Sequence, residues 1–114
     1  LLNLGGPDSL NSVRPFLFNL FYDPAILRLS NPFRWLLAHL ISRLRTKKAQ
    51  KIYQKLGGKS PLLENTQAQA QALEEMLSTV DKNSYKVFIA MRCWHPLTAE
   101  TLQQVKAYNP DKVI

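Results

Sequence analysis

Tyr85-Lys86-Val87-Phe88-Ile89-Ala90-Met91-Arg92 is the stretch that decides the fold of this chain. Its centre, Val87 to Met91, is an uninterrupted apolar run, the pattern of a strand that a parallel sheet buries on both faces. Leu1-Leu2-Asn3-Leu4 reads as an earlier strand, ended by Gly5-Gly6-Pro7: the glycines permit a backbone path that side chains would block, and the proline cannot continue a ladder. Asn109-Pro110-Asp111 turns the chain, and Lys112 begins what reads as a third strand. Between these segments the apolar period is helical. One helix runs to about Tyr22 from a cap at Asn11 or Ser12, tolerates Pro15 in its first turn, and is stopped by Asp23-Pro24. Asn31-Pro32 reads as an N-cap with proline at the first helical position, and Phe33, Leu36, Leu37, Leu40, Ile41 and Leu44 then recur at helical spacing. That phase breaks over 45–48 and restarts with Ala49, Ile52, Tyr53 and Leu56 before Gly57-Gly58, so two helices or one kinked helix fit equally. Thr66-x-x-Gln69 has the form of a capping box ahead of Leu73, Met76, Leu77 and Val80, and Thr98 reads as the cap of a last helix carrying Leu102 and Val105. Strands separated by helices predict an α/β fold with a parallel sheet and right-handed crossovers, the first crossover carrying three or four helices.

The 114 residues suit one domain at most, and 46% hydrophobic content is that of a globular chain rather than a disordered one. The longest apolar run is far short of the ~20 residues that cross a bilayer. A lone cysteine, Cys93, forbids an internal disulfide and cannot by itself hold a zinc or iron–sulfur site, which points to a reducing compartment, the cytoplasm. Both ends read as cut, since the chain opens inside an apolar segment and closes as a strand begins. The net charge of +7 is uneven: residues 1–59 hold ten Lys and Arg against two acidic residues, and residues 60–114 hold five against six.

Four stretches could carry chemistry. Asn3-Leu4-Gly5-Gly6-Pro7 stands where doubly wound folds place ligands, at the carboxyl end of a strand, yet it is neither GxGxxG nor a Walker loop, and a tight turn explains it as well. Phe16-Leu17-Phe18-Asn19-Leu20-Phe21-Tyr22 is apolar around nearly the whole helix, which fits either burial on two sides or one face lining an apolar ligand site or touching a membrane. Arg43, Arg45, Lys47, Lys48, Lys51, Lys55 and Lys59 form a solvated basic face or an anion site, in which Arg45, Lys48 and Tyr53 lie nearest the break in the apolar stripe and hence the interior. Aromatic residues do not interleave with these charges, and no helix-turn-helix or stacking motif accompanies them, so nucleic acid is not the expected partner. Met91-Arg92-Cys93-Trp94-His95-Pro96 aims an arginine at the ligand crevice; His95 alone reads as a hydrogen-bonded structural histidine, and neither it nor His39 makes a metal site.

Leu2-Asn3-Leu4-Gly5-Gly6-Pro7, Val13-Arg14-Pro15-Phe16-Leu17-Phe18-Asn19-Leu20-Phe21, Tyr53 with Gly57-Gly58-Lys59-Ser60-Pro61-Leu62, and Met91-Arg92 with His95-Pro96-Leu97-Thr98 follow one another in this order. Together they closely resemble the N-terminal part of ferrochelatases, over essentially the whole chain. The resemblance implies a Rossmann-like parallel sheet of the chelatase type, with residues 1–114 forming the N-terminal part of the first of two lobes and extra helices in the first crossover. It implies a parent enzyme that inserts Fe²⁺, a substrate rather than a cofactor, into protoporphyrin IX to form protoheme. By the same resemblance Phe16, Leu17, Leu20, Phe21 and Ile26 belong to a lip over the macrocycle. Arg45, Tyr53 and Ser60 match porphyrin-holding positions, Lys48 lies near the propionates, and Leu4 and Arg92 face the cleft. The family's iron-binding histidine and glutamate belong to a later segment, so no catalytic or metal-binding residue is expected here, and the remaining C-terminal part is an expected partner. Peripheral contact with a membrane is compatible with the apolar lip. Cys93 departs from the family, which commonly has an aromatic residue beside the arginine. The competing expectation is a non-catalytic α/β module that binds an anionic amphiphile or nucleic acid through its basic helices.

Overall fold

The computed structural model describes residues 1–80 and 83–114, and the chain divides into two compact units: residues 1–5 with 62–114, and residues 6–61. The first unit is built on a parallel pair of short strands, β1 (Leu2–Asn3) and β2 (Ala90–Met91), with Leu2 opposite Ala90 and Asn3 opposite Met91. Their pairing continues past the regular ladder, because the N–H of Arg92 donates to Asn3 O at 3.0 Å and that of Cys93 to Leu4 O at 2.9 Å. The expected strand from Tyr85 to Arg92 therefore shrinks to its last residues. Val87 N–H goes instead to the Glu74 carboxylate at 2.6 Å, and Ile89 O accepts the Thr101 hydroxyl at 2.6 Å, so helix side chains take backbone groups that a neighbouring strand would use. No strand forms at Lys112 among the described residues; Asn109 ends the last helix in a left-handed conformation and the chain runs on without a ladder.

The 6–61 unit is an antiparallel helix pair, α1 (Val13–Tyr22) and α2 (Asn31–Lys55). Ser12 is the N-cap of α1, although its side chain bonds Ser9 and Asp8 rather than the helix. α2 is one continuous helix of 25 residues, about 37 Å long, which resolves the choice between two helices and one kinked helix. Ser30 is its cap, one residue before the expected Asn31. The apolar stripe that marks α2 in sequence is not the face it buries: Phe33 is 67% and Leu44 72% exposed, with Leu36 and Leu40 also exposed, while Ala38 and Ser42 are fully buried. Small residues let the two helices approach closely, and the Ser42 hydroxyl is satisfied by His39 O at 3.0 Å. Phe18 stacks on Tyr22 and meets the His39 ring at 4.5 Å, Tyr22 OH donates to Asn31 at 2.6 Å, and Gln50 reaches back to Leu10 O at 2.9 Å. These contacts fix the antiparallel register over the full length of α1.

In the first unit, α3 (Leu62–Ser78) and α4 (Thr98–Tyr108) complete the fold. Thr66 lies inside α3 rather than capping it, and Val80 lies beyond its end. The Thr66 hydroxyl bonds Leu62 O one turn back and accepts the Asn3 side-chain amide at 3.2 Å, tying α3 to β1. Leu97, not Thr98, is the N-cap of α4, and the Glu100 carboxylate accepts its N–H at 2.6 Å. Ala70, Ala90, Met91, Cys93 and Thr101 are buried with Thr66 in this unit. Among the described residues the element order is thus strand, three helices, strand, helix, a mixed α/β arrangement with a small parallel sheet and a long helical first crossover.

Candidate functional site

Candidate residues fall into two sets, one in each unit. In the first unit, Leu2, Asn3, Leu4, Ala90, Arg92 and Thr98 line an open crevice of about 410 Å³ beside the strand pair. Leu4 and Arg92, both exposed, stand at its carboxyl end. Gly5 makes this possible, because its φ of +89° suits only glycine, and a Cβ there would lie 3.0 Å from Trp94 N and 3.2 Å from Met91 Cβ. The loop after β2 therefore folds directly against the glycine turn.

That loop is closed on itself. Met91 N–H donates to Pro96 O at 2.7 Å, Thr98 Oγ1 reaches Met91 O at 3.4 Å, and His95–Pro96 is a cis peptide. Cys93 is buried within it, and the indole N–H of Trp94 is buried without a partner among the described residues. His95 Nδ1 pairs with both Glu100 oxygens, at 2.8 and 3.0 Å, the bonded structural role expected from sequence. The His95 bond, then the Leu97 N–H, holds the Glu100 carboxyl below its ordinary value.

In the helix-pair unit, Phe16 and Leu17 are buried, whereas Leu20 and Phe21 are half-buried and Ile26, in the turn after α1, is exposed. Arg45 stands with its guanidinium 5.9 Å from the Phe21 ring centroid, placing a cation over the accessible edge of the apolar surface. Arg45 and Lys48 are exposed, so the expectation that they approach the interior is corrected: a continuous α2 turns both outward. Tyr53 does lie inward, and burial pushes its hydroxyl above its ordinary value. Its carbonyl accepts Gly58 N–H at 2.8 Å, and Ser60 N–H donates to Pro7 O at 2.8 Å, so the Gly57-Gly58 turn carries Ser60 back to the segment after Gly5-Gly6. His39, wedged between Phe18 and Trp35, is a packing residue.

Thr98 and Asn3 as crevice-lining groups, and Glu100 as the partner of His95, are what the sequence reading missed; the acidic residue in the first turn of α4 was the one signal for the last. Among the described residues no three of His, Cys, Asp and Glu stand together as a metal site, and no helix is long and apolar enough to cross a membrane.

The class these units define is a parallel-stranded α/β chain, with an arginine at the carboxyl end of its strand pair and, in the helix-pair unit, a cation beside a half-buried aromatic ring. Comparison with known proteins carries this class to a family. The ferrochelatase family profile matches residues 1–114, and the chain belongs to the ferrochelatase family. It is 59% identical to the ferrochelatase of Wolbachia sp. subsp. Drosophila simulans (strain wRi), 58% to that of Wolbachia pipientis wMel and 57% to that of Rickettsia bellii (strain OSU 85-389). Each match covers all of this chain but 36%, 36% and 32% of the relative, so the chain spans about a third of their length. This similarity does not favour the non-catalytic binding module.

Proposed function

We propose that the protein to which this chain contributes inserts Fe²⁺ into protoporphyrin IX to form protoheme, and that residues 1–114 are the N-terminal part of the first of its two Rossmann-like lobes. The observation that carries the assignment of roles is the Arg45 guanidinium over Phe21, because a porphyrin presents a broad apolar face and two carboxylates at one edge. Leu20, Phe21 and Ile26 form the accessible lip, with Phe16 and Leu17 as its buried underside. Arg45 and Lys48 meet the propionates, and Tyr53 and Ser60 hold the macrocycle edge. Leu4 and Arg92 face the cleft from the strand ends. Two pyrrole N–H protons must leave as the metal enters, so general bases are required; in this reading they come from the remaining C-terminal part.

The protein works in the cytoplasm, where Cys93 stays reduced, and α2 supports peripheral contact with an anionic membrane surface. Phe33, Leu36, Leu40, Leu44, Lys47, Lys51 and Lys55 are all exposed and follow one another at steps of three or four residues. They form one outward ridge, apolar in its first half and cationic in its second. The reading of the site is tested by porphyrin absorbance titration of the full-length protein. Arg45→Ala is expected to weaken binding by ~1.5–3 kcal/mol, the value of a charge-assisted contact, and Lys55→Ala by a few tenths, roughly that of an exposed charge. Equal effects would reduce the basic stretch to a solvated face.

A further inference from the structure

We propose that His95 and Glu100 form a positioning clamp that holds the closed loop after β2 so that Arg92, at the start of that loop, presents its guanidinium to the crevice. The inference rests on the reading of Arg92 as a cleft-facing porphyrin contact. Both ends of the 92–97 loop converge on Met91, whose N–H donates to Pro96 O and whose carbonyl receives the Thr98 hydroxyl. Its inner side is fixed by the buried Cys93, with its N–H on Leu4 O, and by the close approach of Trp94 to Gly5. On the outer side His95 Nδ1 meets both oxygens of Glu100, at 2.8 and 3.0 Å. Glu100 in turn accepts the Leu97 N–H at the start of α4, so a single carboxylate joins the loop tip to the helix end. A carboxylate that receives one ring N–H and one backbone N–H fixes direction as well as distance, since each bond weakens steeply off axis.

The side chains of His95 and Glu100 are 54% and 44% exposed, so the pair adds little to global stability. Its consequence lies in the orientation of what the loop carries. Losing it frees the loop tip beyond Cys93 while the backbone bonds of Arg92 to Asn3 and of Cys93 to Leu4 persist, so the effect on the Arg92 side chain is a modest loss of orientation rather than of position. In this account neither His95 nor Glu100 touches the porphyrin.

The test uses the full-length protein, with KM for protoporphyrin, kcat and melting temperature measured for each variant. Glu100→Ala and His95→Ala are expected to raise KM about 2- to 5-fold, the fold-change to which an exposed pair's interaction corresponds, with kcat within about twofold and melting temperature within about 3 °C. Glu100→Gln should restore most of the loss, because its amide oxygen still accepts both N–H groups. The double variant should be no worse than either single one. A fallen melting temperature with unchanged KM would make Glu100 only a helix cap and overturn the proposal, as would no change in either. Arg92→Ala separates the two readings. If it raises KM while Glu100→Ala does not, the clamp alone fails; if it leaves KM unchanged, the role of Arg92 fails and the clamp with it.

Discussion

Gly5→Ala should be much more damaging than Gly58→Ala, although the two glycines share nearly the same backbone, with φ of +89° and +87°. Placing an alanine at positive φ costs ~1–2 kcal/mol at either position. At Gly58 nothing lies within 4 Å of the added Cβ, so that conformational cost is the whole effect. At Gly5 the methyl group meets Trp94 N at 3.0 Å and the Cβ atoms of Met91 and Trp94 at 3.2 Å. One neighbour is backbone and Met91 is fully buried, so neither can swing aside as the end of a flexible side chain would. Overpacking of this kind adds ~1–3 kcal/mol, giving ~2–5 kcal/mol in total. Denaturant unfolding of the full-length protein and of the two variants measures the difference, with unchanged slopes as the condition for comparing midpoints. A gap of ~1–3 kcal/mol is expected, the overpacking cost alone. Equal midpoints for the two variants would show that the β2 loop does not pack on the glycine turn as described.

Ser42→Leu should destabilise by ~1–3 kcal/mol because Ser42 is fully buried where α2 meets α1, whereas Leu44→Ser should stay within about 0.5 kcal/mol. Denaturation midpoints decide, and the opposite ranking would mean that α2 packs through its apolar stripe. The Val87 N–H, followed by Lys86 at 3.3 Å, holds the Glu74 carboxyl below its ordinary value. A folded pKa below the unfolded one contributes stability that is present above about pH 4.3 and lost as pH falls through the folded value. Glu74→Gln should therefore cost stability at pH 7 and converge on the unmodified protein once the pH has fallen below the folded value of Glu74, as followed by urea midpoints from pH 7 downward.

The helices were legible because their apolar period and their stop signals are local: Asp23-Pro24 ends α1, and Gly57-Gly58 follows α2. The buried face of α2 was not legible. Hydrophobic periodicity marks Phe33 to Leu44, but close packing selects the small residues Ala38 and Ser42, and no local rule says which face meets α1. Thr66-x-x-Gln69 has the form of a cap yet sits within α3, because the same spacing serves equally inside a helix, where Thr66 bonds Leu62 O. The strands shortened for a different reason. Residues such as Val87 and Ile89 have strand propensity, but a ladder needs a partner backbone: on the edge away from β1 their groups go to α3 and α4 side chains, and on the β1 edge the bonding reaches back to Phe88 O, which accepts the Leu1 amine. Of the candidate site, Arg92 at the end of β2 followed from topology, and Arg45, Lys48, Tyr53 and Ser60 from the resemblance of ordered motifs. The His95–Glu100 pair bridges a loop and a helix end, a pairing that the separate residue types do not announce.

The most direct test of the account is metal insertion itself: the rate of protoheme formation from Fe²⁺ and protoporphyrin IX by the anaerobic full-length protein, with the Arg45→Ala variant alongside. The account predicts turnover by the unmodified protein and a raised porphyrin KM in the variant, by about 10- to 100-fold for the loss of one charge-assisted contact. No insertion above the uncatalysed rate, or the same KM in both proteins, would contradict it.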